Sequence, residues 1–156
     1  MITEKDILIK EPKEYIDKVA LIAQISFIER SQQRYMSNKL KELNLFLGEV
    51  KLIMSICANE GLSQEDLVKT FGLNKSTVAN SLRSLEEQGY ILRKVNPNNR
   101  RKNQIFATEK GKNLSNKFIN YNLEWELKMG INNLNPIFRE ELAKLASKSL
   151  NDLNSY

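Results

Sequence analysis

Within residues 75–84, Lys75, Ser76, Thr77, Asn80, Ser81, Arg83 and Ser84 fall on the same side of a helical wheel, and no acid follows them until Glu86. These side chains are small hydrogen-bonding groups and cations. Small polar groups can approach base edges in a major groove, and Asn or Arg can hold a purine edge with two hydrogen bonds. The helix N-terminus at Lys75 favours an anion, because free N–H groups and the positive end of the dipole lie there. A second basic set, Asn99, Arg100, Arg101 and Lys102, follows in a run of turn-forming residues. Across residues 88–112 there are seven cations and one anion, Glu109. The net charge of +5 is modest, but its concentration here suits a polyanion. The plain alternative is a solvated helix face beside a solvated basic hairpin. Solvated faces usually carry mixed charge, which favours the polyanion.

Other chemistries lack their residues. The 156-residue chain contains no histidine and one cysteine, Cys57. An intrachain disulfide is impossible, a structural zinc site has no plausible ligand set, and a Ser-His-Asp or Cys-His catalytic arrangement lacks its base. Asp17, Glu29, Glu42 and Glu49 are scattered and read as surface charges, so no enzyme is expected. Cys57 reads as a small core residue rather than a redox sensor, which would need an exposed thiolate among cations. No cofactor or metal is expected.

The elements that must position the polar face are readable from periodicity and caps. Residues 12–45 read as one long helix, with Pro12 in its first turn and a stripe through Tyr15, Val19, Ile22, Ile25 or Ser26, Ile28, Tyr35, Met36, Leu40 and Leu43. Residues 46–59 read as a second helix with Leu47, Val50, Ile53 or Met54, and Cys57 on one side. Gly61 ends it. Ser63 caps a short helix, with Asp66 three positions on and Leu67, Val68 and Phe71 inward; Gly72 closes it. Leu73 is expected to be a buried turn residue, and Asn74 caps the helix over residues 75–88, whose inward stripe is Val78, Leu82 and Leu85. After Gly89, residues 90–95 and 104–107 read as paired strands. Residues 96–103 form the turn, with Arg100, Arg101 and Lys102 at the tip. Thr108 caps a further helix to Gly130, with Leu114, Phe118, Tyr121, Trp125 and Met129 in a stripe. Residues 136–154 form the last helix, with Phe138, Leu142, Leu145, Leu150 and Leu153. The fold class is mainly α with a small β-hairpin wing: a winged helix-turn-helix between long terminal helices.

The residues beyond the turn carry a resemblance. Asn99, Arg100, Arg101, Ile105, Ala107, Thr108 and Gly111, preceded by Leu85-Glu86-Glu87-Gln88-Gly89, match in spacing the wing pattern of the MarR family of bacterial transcription regulators. The similarity extends over the whole chain. Two positions depart from the pattern. Asn99 stands where the family has Asp, so it can accept a hydrogen bond from Arg101 without charge assistance. Ala107 replaces Leu, a smaller plug under the wing.

The resemblance implies a homodimer held by terminal helices, with residues 1–45 and 112–156 serving dimerisation and residues 46–111 contacting duplex DNA. It implies a sequence-specific regulator, with repression favoured, whose DNA contacts come from Ser63, Lys75, Ser76, Thr77, Asn80, Ser81, Arg83, Ser84, Asn99, Arg100, Arg101 and Lys102. It also implies a small aromatic or apolar effector between the dimer and DNA lobes. Phe27, Tyr35, Phe46, Tyr121 and Trp125 are its candidate contacts. The alternative is a winged-helix protein-interaction module without sequence-specific DNA binding. No apolar run approaches the roughly 18–20 residues that span a bilayer, and the N-terminus lacks a signal-peptide pattern. No membrane contact and a cytoplasmic location are expected.

Overall fold

The computed structural model describes residues 16–97 and 99–153, without the side chains of Arg100, Arg101 and Leu153. Its helices are α1 (Leu21–Leu40), α2 (Leu47–Ala58), α3 (Gln64–Phe71), α4 (Lys75–Glu87), α5 (Glu109–Met129) and α6 (Pro136–Leu153). Strands β1 (Ile91–Asn96) and β2 (Asn99–Ala107) lie between α4 and α5 and pair antiparallel. The result is a mainly helical chain with one hairpin, as expected. None of the described helices is long and apolar enough to cross a membrane.

The first helix is shorter than its periodicity implied. Helical geometry is interrupted before Ala20, where the Gln24 side-chain amide donates to the carbonyls of Ile16 and Val19. Pro12 and Tyr15 lie outside the described residues. At the other end, Lys41–Leu43 tightens into a 3-10 turn, and Asn44 adopts the left-handed conformation with φ 52°. Asn tolerates that conformation better than other non-glycine residues. Its amide donates to Lys41 O, and Leu45 N reaches back to Leu40 O. Such bonds satisfy terminal carbonyls and stop a helix.

α2 occupies the centre. Val50, Leu52, Ile53 and Ile56 are buried, so more than one side of this helix faces neighbours. Glu49, read from sequence as a surface charge, is buried at 5% exposure. Its carboxylate accepts a 2.9 Å hydrogen bond from the Phe46 amide, satisfying a donor at its own helix N-terminus. Met36 and Leu40 of α1, Leu67 of α3, the Val78–Leu82–Leu85 stripe of α4, and Leu114 and Phe118 of α5 complete the core. Fully burying an aliphatic side chain contributes about 1.5–3 kcal/mol, so this cluster holds α4 in place while its other face stays open.

The hairpin is longer than composition suggested. β2 begins at Asn99 rather than Gln104, and Asn96 pairs with Asn99. Arg100, Arg101 and Lys102 therefore lie within β2, at the register shift between the Val95–Asn103 and Asn96–Asn99 pairs, rather than in the connecting turn. Asn99, Lys102 and Asn103 are all exposed, so the sequence there carries no buried alternation to mark a strand. At the base, Ile105 exchanges backbone hydrogen bonds with Gly61 and Leu62 (3.0 and 2.9 Å). That bridge ties the α2–α3 connection to the wing.

Candidate nucleic-acid interface

α4 is positioned by its cap. Asn74 Oδ1 accepts from Thr77 N at 2.7 Å and from the Ser76 hydroxyl at 2.8 Å. Val78, Leu82 and Leu85 are fully buried, which turns Lys75, Ser76, Thr77, Asn80 and Arg83 to solvent. Ser81 and Ser84 are half-buried at the edge, and Ser84 Oγ accepts from the Gln88 side chain at 3.0 Å. Leu73, expected to be buried, is 40% exposed: the α3–α4 turn lifts it off the core.

α3 is held by a reciprocal cap. Ser63 Oγ accepts from Asp66 N, and Asp66 Oδ2 accepts from Ser63 N at 2.9 Å and from the Ser63 hydroxyl at 2.6 Å. These bonds hold the Asp66 carboxyl below its ordinary range. Ser63 is thus committed first to its own helix. Gly72 closes α3 at φ 60°, where a side chain would be strained.

The wing is anchored at its root. Thr108 N and Thr108 Oγ1 both donate to Tyr90 O (3.0 and 3.1 Å), and the hydroxyl also reaches Gly89 O at 2.7 Å. The same oxygen accepts from Gly111 N, capping α5. Lys110 Nζ donates to Gln88 O at 2.7 Å while lying 4.3 Å from the Tyr90 ring centre. It is a cation at the C-terminus of α4, where the dipole favours one.

The charge concentration seen in the sequence is therefore mostly partnered. Arg93 lies 3.2 Å from Glu86, Lys112 is 3.4 Å from Glu60, and Lys102 pairs with Glu65 of α3. Lys94 stacks 5.1 Å from the Phe106 ring centre. Asn99 is exposed, opposite Asn96, and the side chains of Arg100 and Arg101 lie outside the described residues. Sequence reasoning missed Glu65. Its partner is 37 positions away, and no local signal joins them.

The five candidate effector contacts do not converge. Phe27 and Trp125 line an apolar cavity of about 540 Å³ with Ile28, Phe138 and Leu142. Tyr35 and Tyr121 line a different, polar recess beside Lys39, whose ammonium lies 5.4 and 5.0 Å from their ring centres. Glu124 accepts from Lys39 at 3.0 Å and from the Tyr35 hydroxyl at 3.1 Å. Phe46, 79% exposed, borders a third recess with Leu45. Cys57 is half-buried, and burial raises its thiol above the ordinary value, only partly opposed by a hydrogen bond with Ser115 and by the charge of Lys112. Among the described residues no group of metal-ligating side chains is assembled.

Comparison with known proteins agrees with this geometry. Residues 45–102 match the MarR family model. An uncharacterized HTH-type transcriptional regulator of Bacillus subtilis (strain 168), YybA, is 29% identical over 92 residues, which are 59% of this chain and 61% of that protein. The match thus spans about three-fifths of the relative's length. The crystal structure of MarR superposes with a TM-score of 0.76 at 26% identity, covering 89% of this chain and 97% of that one. A putative MarR family regulator from Listeria monocytogenes, complexed with 26mer DNA, gives 0.74 at 27% identity, covering 86% and 89%. The family model covers the helix-turn-helix and much of the wing, and these structures cover most of the chain, so it is similar to MarR-family transcriptional regulators over nearly its whole length.

Proposed function

We propose that this protein is a homodimeric, sequence-specific DNA-binding regulator acting as a repressor in the cytoplasm. The observation that carries the reading is the outward face of α4. It presents Lys75, Ser76, Thr77, Asn80 and Arg83 with no acid among them, beside the basic strand β2. α4 enters the major groove, and the wing residues Arg100 and Arg101 reach neighbouring phosphates or the minor groove. The similar Listeria protein's complex with DNA supports the assignment.

Dimerisation is supported by apolar side chains left open on the terminal helices. Phe138, Leu142, Leu145 and Leu150 form an exposed stripe on α6, and Leu21, Ile22 and Ile28 are exposed on α1. A stripe of that kind needs a partner surface. The Phe27–Trp125 cavity, which opens on the same helices, is where a small aromatic or apolar effector would bind and favour a spacing of the two α4 helices that misfits DNA. Light scattering coupled to gel filtration, with footprinting on the DNA upstream of the gene, tests the reading. A dimer protecting two half-sites about one helical turn apart supports it, and a monomer with no sequence preference overturns it.

A further inference from the structure

A narrow groove of about 230 Å³ separates the N-terminus of α3 from the start of α4 and the root of the wing. Its lining includes Lys75, Arg93 and Lys102, and one acid, Glu65. Lys75 begins the face that would contact DNA, and Lys102 follows the wing arginines directly. Glu65 therefore stands in the middle of a cationic mouth. Its carboxylate hydrogen-bonds the Lys102 ammonium, with Lys75 and Lys69 close enough to add attraction. Asp66, next in sequence, is occupied by the Ser63 cap and only adds to the field at Lys102.

A carboxylate held this way takes the role that a phosphate oxygen would take in a complex: an anionic acceptor for Lys102 at the N-terminal end of a helix. We propose that Glu65 is an intramolecular competitor for Lys102, occupying in the free protein the place of a DNA phosphate and lowering affinity for duplex DNA of any sequence. The inference rests on the DNA-binding reading above. Binding exchanges one anionic partner of Lys102 for another, so this lysine gains only the difference between the two pairings, and Glu65 is left facing the DNA backbone without Lys102. The cost falls equally on specific and non-specific DNA. It matters most for the non-specific complex, which rests on phosphate contacts alone. Glu65 also lies in the first turn of α3, where an acid favours the helix by a small dipole effect, and that role concerns stability rather than DNA affinity.

The test is binding of wild type, Glu65→Gln, Lys102→Ala and the double variant to two duplexes, one from the gene's own upstream region and one of scrambled sequence, across a salt series. Glu65→Gln should bind both duplexes roughly threefold to tenfold tighter near 0.1 M salt, with a log–log salt slope close to that of wild type, because Lys102 meets a phosphate in both complexes. Lys102→Ala should erase that gain in the double variant. Unchanged or weaker binding by Glu65→Gln overturns the proposal, the weaker case making Glu65 a positioning residue for Lys102. A parallel carbon-detected titration of the Glu65 carboxyl in the free protein reads the pair without DNA. It should titrate below the ordinary glutamate range in wild type and return towards that range in Lys102→Ala; no difference overturns the competition. If wild type binds neither duplex while the titration shows the pair, the DNA-binding reading has failed, and the competition falls with it.

Discussion

The carbonyl oxygen of Tyr90 occupies the space into which a side chain on Gly111 would project. This contact joins the end of the α4–β1 turn to the first turn of α5, and Thr108 completes it by donating twice to the same carbonyl. The glycine that closes the family's wing motif is required here for close approach, not for a left-handed backbone: it lies within α5 and is buried.

Gly111→Ala should therefore destabilise the protein. In an open helix interior the same change stabilises by roughly 0.5–1 kcal/mol. Here the new methyl meets backbone, and overpacking of that kind costs about 1–3 kcal/mol. Urea denaturation followed by circular dichroism measures the sign, and a stabilised variant would show that α5 can move away from Tyr90.

Thr108→Val keeps the side chain's shape and removes its hydroxyl. It deletes the cap of α5 and the hydrogen bonds to Gly89 O and Tyr90 O. A lost cap costs about 0.5–2 kcal/mol. The expected loss lies in the upper half of that range, because α5 and the wing root are held by one atom. Hydrogen exchange should speed up at Gly111 N before it does in α2.

Much of this arrangement is legible in the sequence because caps are local. Ser63, Asn74 and Thr108 each accept from an amide three positions on, as their spacing implied, and Gly72 and Gly130 take the left-handed conformation. What escaped was non-local or lacked a side-chain pattern. Leu62 bridges Ile105 through backbone, and the exposed Asn99, Lys102 and Asn103 of the extended β2 give no buried alternation. The stop at Asn44 had a signal, an Asn at a helix end, which the apolar periodicity of residues 12–45 overrode. Glu49 was misread because a buried acid satisfied by its own helix terminus looks in sequence like any surface acid. The basic face was visible, but its pairing with Glu86, Glu60 and Glu65 was not.

Phe138→Glu should convert a dimer to a monomer without unfolding the chain. Phe138 is 47% exposed and belongs to the open stripe of α6, so the carboxylate stays solvated in the monomer but would be desolvated in a helical interface. Light scattering should give half the wild-type mass, with an unchanged far-ultraviolet spectrum. A variant that remains dimeric places the interface elsewhere.

Cys57 should react slowly with a disulfide reagent at pH 8, well below the rate of a free cysteine. Burial keeps its thiol protonated in the folded chain. Because the folded value is raised, the stabilisation tied to the protonated thiol is fully present below the ordinary thiol value. It is lost as pH rises through the raised one. Comparing wild type with Cys57→Ala above pH 9 isolates this contribution from other titrating groups. Rapid modification at neutral pH would reopen a redox role.

The most direct test of DNA recognition is equilibrium binding of wild type and the Arg100→Ala/Arg101→Ala variant to the upstream duplex and its scrambled counterpart as salt is varied. Wild type should prefer the upstream duplex, bind as two chains per site, and show a steep salt dependence. The double variant should lose affinity on both duplexes, with the slope reduced by about 1.8, or 0.9 for each phosphate contact removed. Equal binding of wild type to both duplexes, or a double variant with undiminished affinity and slope, would contradict sequence-specific recognition by α4 and the wing.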